Sequence, residues 1–231
     1  MNPEPSFEPL EQILGIRISN RELLHNVFIH RSYLNEHKSS SLPSNEKLEF
    51  LGDSVLSLIT SIYLFKHYVE LEEGDYTDIK AAIVRTESLA EAATTLKLGQ
   101  YLFLSKGEEK GEGRSNVNIL ADTFEALVAC IFIDVGFDAA YNFVLKYLFT
   151  DRLDYIVKNK LYMSPKSRLQ EVIQARHKIL PTYRVIEETG PEHKKTFKVS
   201  VYLNDALIGT GEGTSKKQAE ENAAKKALEK L

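Results

Sequence analysis

Glu49 and Asp53 lie four residues apart in Leu48-Glu49-Phe50-Leu51-Gly52-Asp53-Ser54-Val55-Leu56, an apolar stretch with helical spacing. On a helix the two carboxylates project from one face, one turn apart. A second pair, Asp122 and Glu125, sits three apart in Ile119-Leu120-Ala121-Asp122-Thr123-Phe124-Glu125-Ala126-Leu127. Acids are almost never fully buried unless they are paired or bound to a cation. Four carboxylates on two oily helices repel one another, and without a cation some would take up protons. A hard divalent ion, Mg²⁺ or Mn²⁺, would instead turn them into oxygen ligands. Such an ion lowers the pKa of a water it holds and stabilises charge on a phosphodiester. Glu46, one turn before Glu49, extends the acidic stripe, either as a partner to the water around the ion or as a merely solvated acid. A di-iron carboxylate bundle would use Glu-x-x-His motifs, and none occurs near either pair. One cysteine and six scattered histidines argue against zinc. His30, in the His30-Arg31-Ser32 run, reads as structural rather than catalytic.

The other end of the chain carries a different chemistry. Ser215-Lys216-Lys217-Gln218 opens the last helix, with Ser215 and Gln218 spaced as a capping box. Lys216 and Lys217 fall in its first turn, where the helix dipole disfavours cations. A bound phosphate would reverse that penalty, because it meets the helix start and two ammonium groups together; a solvated face is the plain alternative. Gln170, Glu171 and Gln174 are poor phosphate ligands but suit hydrogen bonding to the 2′-hydroxyls of a shallow RNA minor groove. His193, Lys194 and Lys195 follow Gly190-Pro191 as a third patch. Three patches on one face fit shape recognition of an A-form duplex better than base readout, so double-stranded RNA is the expected partner and DNA is not.

The elements that must position these groups change character along the chain. Residues 8–34 read as two short helices, with Asn20 a candidate N-cap. Residues 38–45 read as a loop. Leu48, Leu51, Val55, Leu58 and Ile62 then predict a helix to about Tyr68. Glu72-Glu73-Gly74-Asp75 breaks it, and one helix follows with Ile79, Ala82, Ile83 and Leu89. Residues 107–116 read as an exposed loop, and apolar helices are expected over about 117–133 and 137–155. No β alternation precedes residue 160. After it, residues 167–175 read as a helix, 182–188 as a strand, Phe197 to Leu203 as an alternating half-buried strand, and 207–212 as a third strand after an Asn204-Asp205 turn. A helix from Ser215 closes the pattern, with Ala219, Ala223, Ala224, Ala227 and Leu228 on its inner face. The expected fold class is multidomain: an all-α domain over 1–156, a linker over 157–163 and an α+β (α-β-β-β-α) domain over 164–231.

Charge supports two jobs. From Ser164 onward there are 13 Lys and Arg against 9 Asp and Glu, and the remainder has 16 against 24. The basic end suits a polyanion and the acidic front suits cations. No uninterrupted apolar run reaches the roughly 18 residues needed to cross a bilayer, and residues 1–11 show no signal-peptide pattern, so no membrane is expected. The lone Cys130 excludes an internal disulfide framework, reads as a small core residue, and fits the cytoplasm.

These residues resemble a known family. The run Asn45-Glu46-Lys47-Leu48-Glu49-Phe50-Leu51-Gly52-Asp53-Ser54-Val55-Leu56 is similar to the signature of bacterial ribonuclease III, and Glu72 to Asp75, Ile119 to Leu127 and Ser215 to Glu220 match in order and spacing. The resemblance covers nearly the whole chain; the last motif alone would indicate only a double-stranded-RNA-binding domain. It implies a cytoplasmic homodimer of all-α domains, with a Mg²⁺ site that Mn²⁺ can also fill. It also implies an endoribonuclease that hydrolyses double-stranded RNA to 5′-phosphate and 3′-hydroxyl ends and matures ribosomal and other structured RNAs. Asp53 and Glu125 match catalytic positions; Glu49, Asp122 and Glu125 match metal ligands; Glu46 and Glu73 match accessory acids. Phe50 matches an aromatic that enters the partner subunit, the alternative being that it packs in its own core. Ser167, Gln170, Glu171, Gln174, His193, Lys194, Ser215, Lys216 and Lys217 fall where the family touches RNA. Lys47 stands where Arg is usual and Ala129 where Gly is common; neither removes an acid. With the chain ending at Leu231, no further partner is expected. A non-catalytic duplex-RNA-binding dimer would be expected to lack one of the four acids, and a hydrolase of small phosphoesters would leave the basic end unused.

Overall fold

The computed structural model describes residues 6–37, 43–191 and 194–231, the Asp151 side chain excepted. The chain divides into two compact units, Met1–Asn159 and Lys160–Leu231.

The first unit is helical: α1 (Glu8–Leu14), α2 (Arg21–Val27), α3 (Arg31–Glu36), α4 (Glu46–His67), α5 (Glu73–Ile83), α6 (Thr86–Thr95), α7 (Lys106–Lys110), α8 (Val117–Asp134), α9 (Phe137–Val144) and α10 (Thr150–Lys158). Its centre is α8. From Ile119 to Ile131 every residue of α8 is buried except Asp122 and Glu125. A helix that is apolar all round belongs inside, and this one is wrapped on several sides. Against it α4 sets Leu48, Gly52, Val55, Leu56 and Ile59, and α6 adds Leu89, Ala92 and Ala93, all buried. Side-chain caps fix the entries. Asn20 accepts from the Leu23 amide at 3.0 Å, and Asn116 starts α8 by accepting from Asn118 at 2.9 Å and Ile119 at 3.2 Å.

Several expectations for this unit need correcting. The stretch 8–34 holds three helices, because Gly15 at φ 68° ends α1 and residues 28–30 separate α2 from α3. The helix expected through Leu89 is two: Arg85 is extended (ψ 153°) and caps α6, to which Leu89 belongs. Glu72 and Asp75 form a capping box, so the acidic run that ends the preceding apolar pattern also starts α5. Residues 107–116 are not a plain loop. They include α7 and a 3₁₀ turn, Gly113–Ser115, tied down by Arg114, which pairs with Glu109 and donates to the Gly99 carbonyl at 2.8 Å. The region 137–155 is split by a π turn, Leu145–Phe149. Finally, α4 is long and apolar enough to cross a membrane by length and composition alone. Counting uninterrupted apolar runs overlooks it. Its buried residues pack on α8, and Glu46, Glu49 and Asp53 occupy its first two turns.

The second unit runs α11 (Pro165–His177), β1 (Thr182–Thr189), β2 (Thr196–Leu203), β3 (Ala206–Gly213) and α12 (Lys216–Leu228). The strands form an antiparallel meander in the order β1-β2-β3. Leu169, Ile173, Val201, Ala223, Ala224 and Ala227 make its core. The alanine face of α12 sits close on β3: a Cβ on Gly211 would lie 2.2 Å from the Ala223 amide nitrogen.

Candidate active site and RNA-binding face

The acid site forms where the first turns of α4 meet the middle of α8. Asn45 anchors the start of α4: it is buried, its side chain donates to the Val27 carbonyl at 3.0 Å, and its amide donates to Ile29 at 2.9 Å. Nearly two turns into the helix, Gly52 lies against the backbone of α8. A Cβ there would fall 1.9 Å from the Glu125 carbonyl oxygen and 2.5 Å from its carbon. Glycine costs about 1 kcal/mol relative to alanine inside a helix, so its presence here is explained by this approach. Sequence reading passed over Gly52, although a glycine inside an otherwise uninterrupted helical pattern was the signal.

The approach brings Glu49, Asp122 and Glu125 together, with one carboxylate oxygen of each within 4.8 Å of the others. All three are half-buried. Asp53 lies outside that trio and is exposed, yet its charge acts on both Glu125 and Glu49. Burial, followed by repulsion from Asp53, Asp122 and Glu49, pushes the Glu125 carboxyl up to about 8. Burial also raises Glu49, helped by Asp122 and Glu46, and raises Asp122, where Glu46 adds to it and His30 and Arg31 oppose it. Glu46 accepts from the Ser44 hydroxyl at 2.7 Å and lies 3.8 Å from Arg31. Glu73, at the start of α5, accepts from Thr77 at 3.4 Å, and none of its described contacts reaches the cluster. His30 caps α3 and bonds Ser32 Oγ through Nδ1 at 2.8 Å, a structural role, although its ring is near enough for Asp122 and Glu46 to act on it. Cys130 is buried, and burial pushes its thiol up to about 12.

Three half-buried oxygen donors this close, each with a raised pKa, fit a hard cation. Glu49, Asp122 and Glu125 would hold it. The charged forms are disfavoured in the fold, so the folded protein binds more protons than the unfolded chain. Stability without metal therefore falls as pH rises from the ordinary carboxylate range, about 4.5, to about 8. In EDTA the melting temperature is expected to drop between about pH 5 and pH 8.5, with a smaller drop in Glu125→Gln. Saturating Mg²⁺ is expected to raise it more at pH 8 than at pH 6. Thermal melts across pH, with and without metal, check this; a metal-induced rise that is larger at low pH would contradict it.

On the second unit, Ser167, Gln170, Glu171 and Gln174 are exposed on α11, and Lys194, Ser215, Lys216 and Lys217 are exposed beyond β1 and at the start of α12. His193 lies outside the described residues. Ser215 accepts from the Gln218 amide at 3.2 Å, but Gln218 returns its side chain to Thr214, accepting from its amide at 2.8 Å, so only half of the expected capping box forms. Lys216 finds a partner within the unit, Glu188, at 3.1 Å, and Glu171 pairs with Lys160. Both pairs are solvent-exposed and worth little on their own, and Lys216 also lies over the Phe197 ring at 5.6 Å, so the cation at the helix start has only modest partners within the unit.

A helical unit built around clustered carboxylates, followed by an α-β-β-β-α module, defines a class: metal-dependent nucleases that carry a separate duplex-RNA module. Residues 20–152 match the family model described as ribonuclease-III-like, and residues 165–231 match the double-stranded RNA binding motif. The chain is 41% identical to ribonuclease 3 of Syntrophobacter fumaroxidans, over 99% of this chain and 96% of that protein. Identity is 40% to ribonuclease 3 of Listeria monocytogenes, with 97% of each chain covered. The nuclease domain of ribonuclease III from Campylobacter jejuni, described for flexibility in a region involved in dimer formation, superposes with a TM-score of 0.58 at 34% identity. That match covers 62% of this chain and 96% of the other. The chain belongs to the ribonuclease III family. It is an endoribonuclease of double-stranded RNA, and its family depends on metal.

Proposed function

We propose that the protein is a Mg²⁺-dependent homodimer that cuts duplex RNA to 5′-phosphate and 3′-hydroxyl ends, with Mn²⁺ able to replace Mg²⁺. The observation that carries this is the trio of Glu49, Asp122 and Glu125 within 4.8 Å, on helices held together at Gly52. When bound, Mg²⁺ supplies positive charge beside the phosphodiester and acidifies the water it holds. The three carboxylates place that charge, and the wall of α8 keeps them from relaxing apart. Asp53, the exposed acid one turn after Glu49, accepts the proton of the attacking water. Glu46 and Glu73 are accessory acids. The nuclease domain is assigned to residues 1–156, the linker to 157–163 and the RNA-binding domain to 164–231. Ser167, Gln170, Glu171, Gln174, His193, Lys194, Ser215, Lys216 and Lys217 meet A-form RNA rather than DNA. The cellular setting is the cytoplasm, where the buried Cys130 stays reduced, and the work is maturation of ribosomal and other structured RNAs.

Dimerisation rests on the outer face of α4. Phe50 is 79% exposed, so it does not pack in its own core, and it begins a stripe with Leu58 at 52% and Phe65 at 73%. Burying each is worth about 1.5–3 kcal/mol, and a second copy doubles the gain. The flexible dimer-forming region described for the Campylobacter jejuni domain supports this reading. One preparation tests both halves. The full chain is expected to sediment as a dimer at micromolar concentration and to cut long duplex RNA with Mg²⁺ but not with EDTA. A monomer would remove the dimer, and cleavage unaffected by EDTA would remove the metal.

A further inference from the structure

The acid cluster poses a difficulty for its own substrate. Glu46, Glu49, Asp53, Asp122 and Glu125 set five carboxylates at the place where a polyanion must come to rest. Even two divalent ions would not outweigh five ionised carboxylates, so a cation from the protein beside the cut would favour the RNA backbone. Among the described residues, two basic side chains act on the cluster: Arg31 on Glu49 and Asp122, and His30 on Asp122. Burial lowers the pKa of His30 below its ordinary value, whereas an arginine guanidinium is always charged.

The local structure fixes Arg31 at that point and leaves its head group available. His30, just before it, donates its amide to the Phe103 carbonyl at 3.2 Å. Ser32, just after it, bonds the His30 ring and accepts from the Ser105 amide at 3.1 Å. The backbone of the first turn of α3 is thereby pinned to residues 103–105. The Arg31 side chain is 74% exposed, and among the described residues it pairs with Glu46, with Nη1 3.8 Å from Oε1. That is well beyond a charge-assisted hydrogen bond of about 2.7–2.9 Å, so the pair aims the guanidinium without saturating it. Glu46 is itself held by Ser44 and stands one turn before Glu49.

We propose that Arg31 is a substrate-positioning residue whose guanidinium grips an RNA phosphate next to the one that is cut, aimed by Glu46. A planar fork of donors matches two phosphate oxygens, which a lysine ammonium cannot do. The assignment rests on the reading of Glu49, Asp122 and Glu125 as the active acids. Because the second unit carries its own RNA-binding groups, Arg31 governs where the backbone lies in the site rather than whether RNA is captured.

The test uses the full chain and one duplex RNA with a defined cut, read by single-turnover rate at saturating RNA and by gel-shift affinity. Arg31→Ala is expected to slow cleavage roughly tenfold or more with affinity changed by less than about twofold, and Arg31→Lys to recover only part of the rate. Neutral methylphosphonate linkages, placed one at a time around the cut, add a readout that needs no variant. At the gripped linkage the substitution slows the wild type and adds nothing to the loss in Arg31→Ala. A wild-type rate in Arg31→Ala, or additive losses at every neighbouring linkage, would overturn the role of Arg31. Glu125→Gln run alongside separates the two layers. If it cuts at the wild-type rate, the active-site reading itself fails; if it is inactive while Arg31→Ala is fully active, only Arg31 is misassigned.

Discussion

Glu125→Gln is expected to cut duplex RNA at least about a hundredfold more slowly than the wild type, a transition-state loss of roughly 3 kcal/mol, while binding RNA nearly as well. Glutamine keeps the size of the glutamate and resembles its protonated form. The wild-type carboxyl already lies near that form without a cation, because burial and then Asp53, Asp122 and Glu49 push it up to about 8. A bound cation offsets that penalty and favours the charged form. The substitution therefore keeps the shape of the side chain and removes one of the three charges of the trio. RNA capture is proposed to rest on Lys216, Lys217 and their neighbours on the other unit, so it is expected to survive. Single-turnover cleavage at saturating RNA and gel-shift affinity on the same duplex make the comparison. A wild-type rate at saturation would show that Glu125 is not a working acid of this site.

Most of this was legible in the residues for a physical reason. Acids inside apolar helices are rare enough that Glu49, Asp53, Asp122 and Glu125 announce themselves, and the period-2 pattern of Phe197 to Leu203 has no helical alternative. What stayed hidden depends on distance between elements. Periodicity cannot see that Arg85 turns extended between two helices, since Ile83 and Leu89 continue the apolar rhythm across the break. It cannot tell that Arg114 and a buried Gly113 make a fixed corner of a Gly-rich, charged stretch. Nor can spacing say which of four acids converge. Asp53 sits one turn from Glu49, yet Glu49, Asp122 and Glu125 form the tight trio and Asp53 remains exposed beside it. Phe50 shows the converse: its type left core and interface both open, and its exposure in the folded unit closes the first.

Gly52→Ala is expected to be nearly as damaging as losing an acid, although it adds a single methyl group and touches no carboxylate. Alanine is the better helix former by about 1 kcal/mol, so on an isolated helix the change would stabilise α4. In the folded unit the new Cβ would lie 1.9 Å from the Glu125 carbonyl oxygen and 3.1 Å from its Cα. Both are backbone atoms of a fully packed helix, which no rotamer change can move aside. The helices must separate by more than an ångström, and overpacking of this kind costs about 1–3 kcal/mol or more. The separation opens at the residue that supplies one donor of the trio, while Glu49 rides on the other helix. Donors gathered within 4.8 Å would no longer share one cation, and a displacement of that size costs on the order of a hundredfold in rate. Gly52→Ala should therefore melt several degrees lower, require more Mg²⁺ for half-maximal cleavage, and cut at least about a hundredfold more slowly at saturating RNA. Its RNA affinity should stay near that of the wild type, because α11, α12 and the sheet between them are untouched. A variant that folds with unchanged stability and cuts within a few-fold of the wild type would show that the close crossing of α4 and α8 does not set the spacing of the acids.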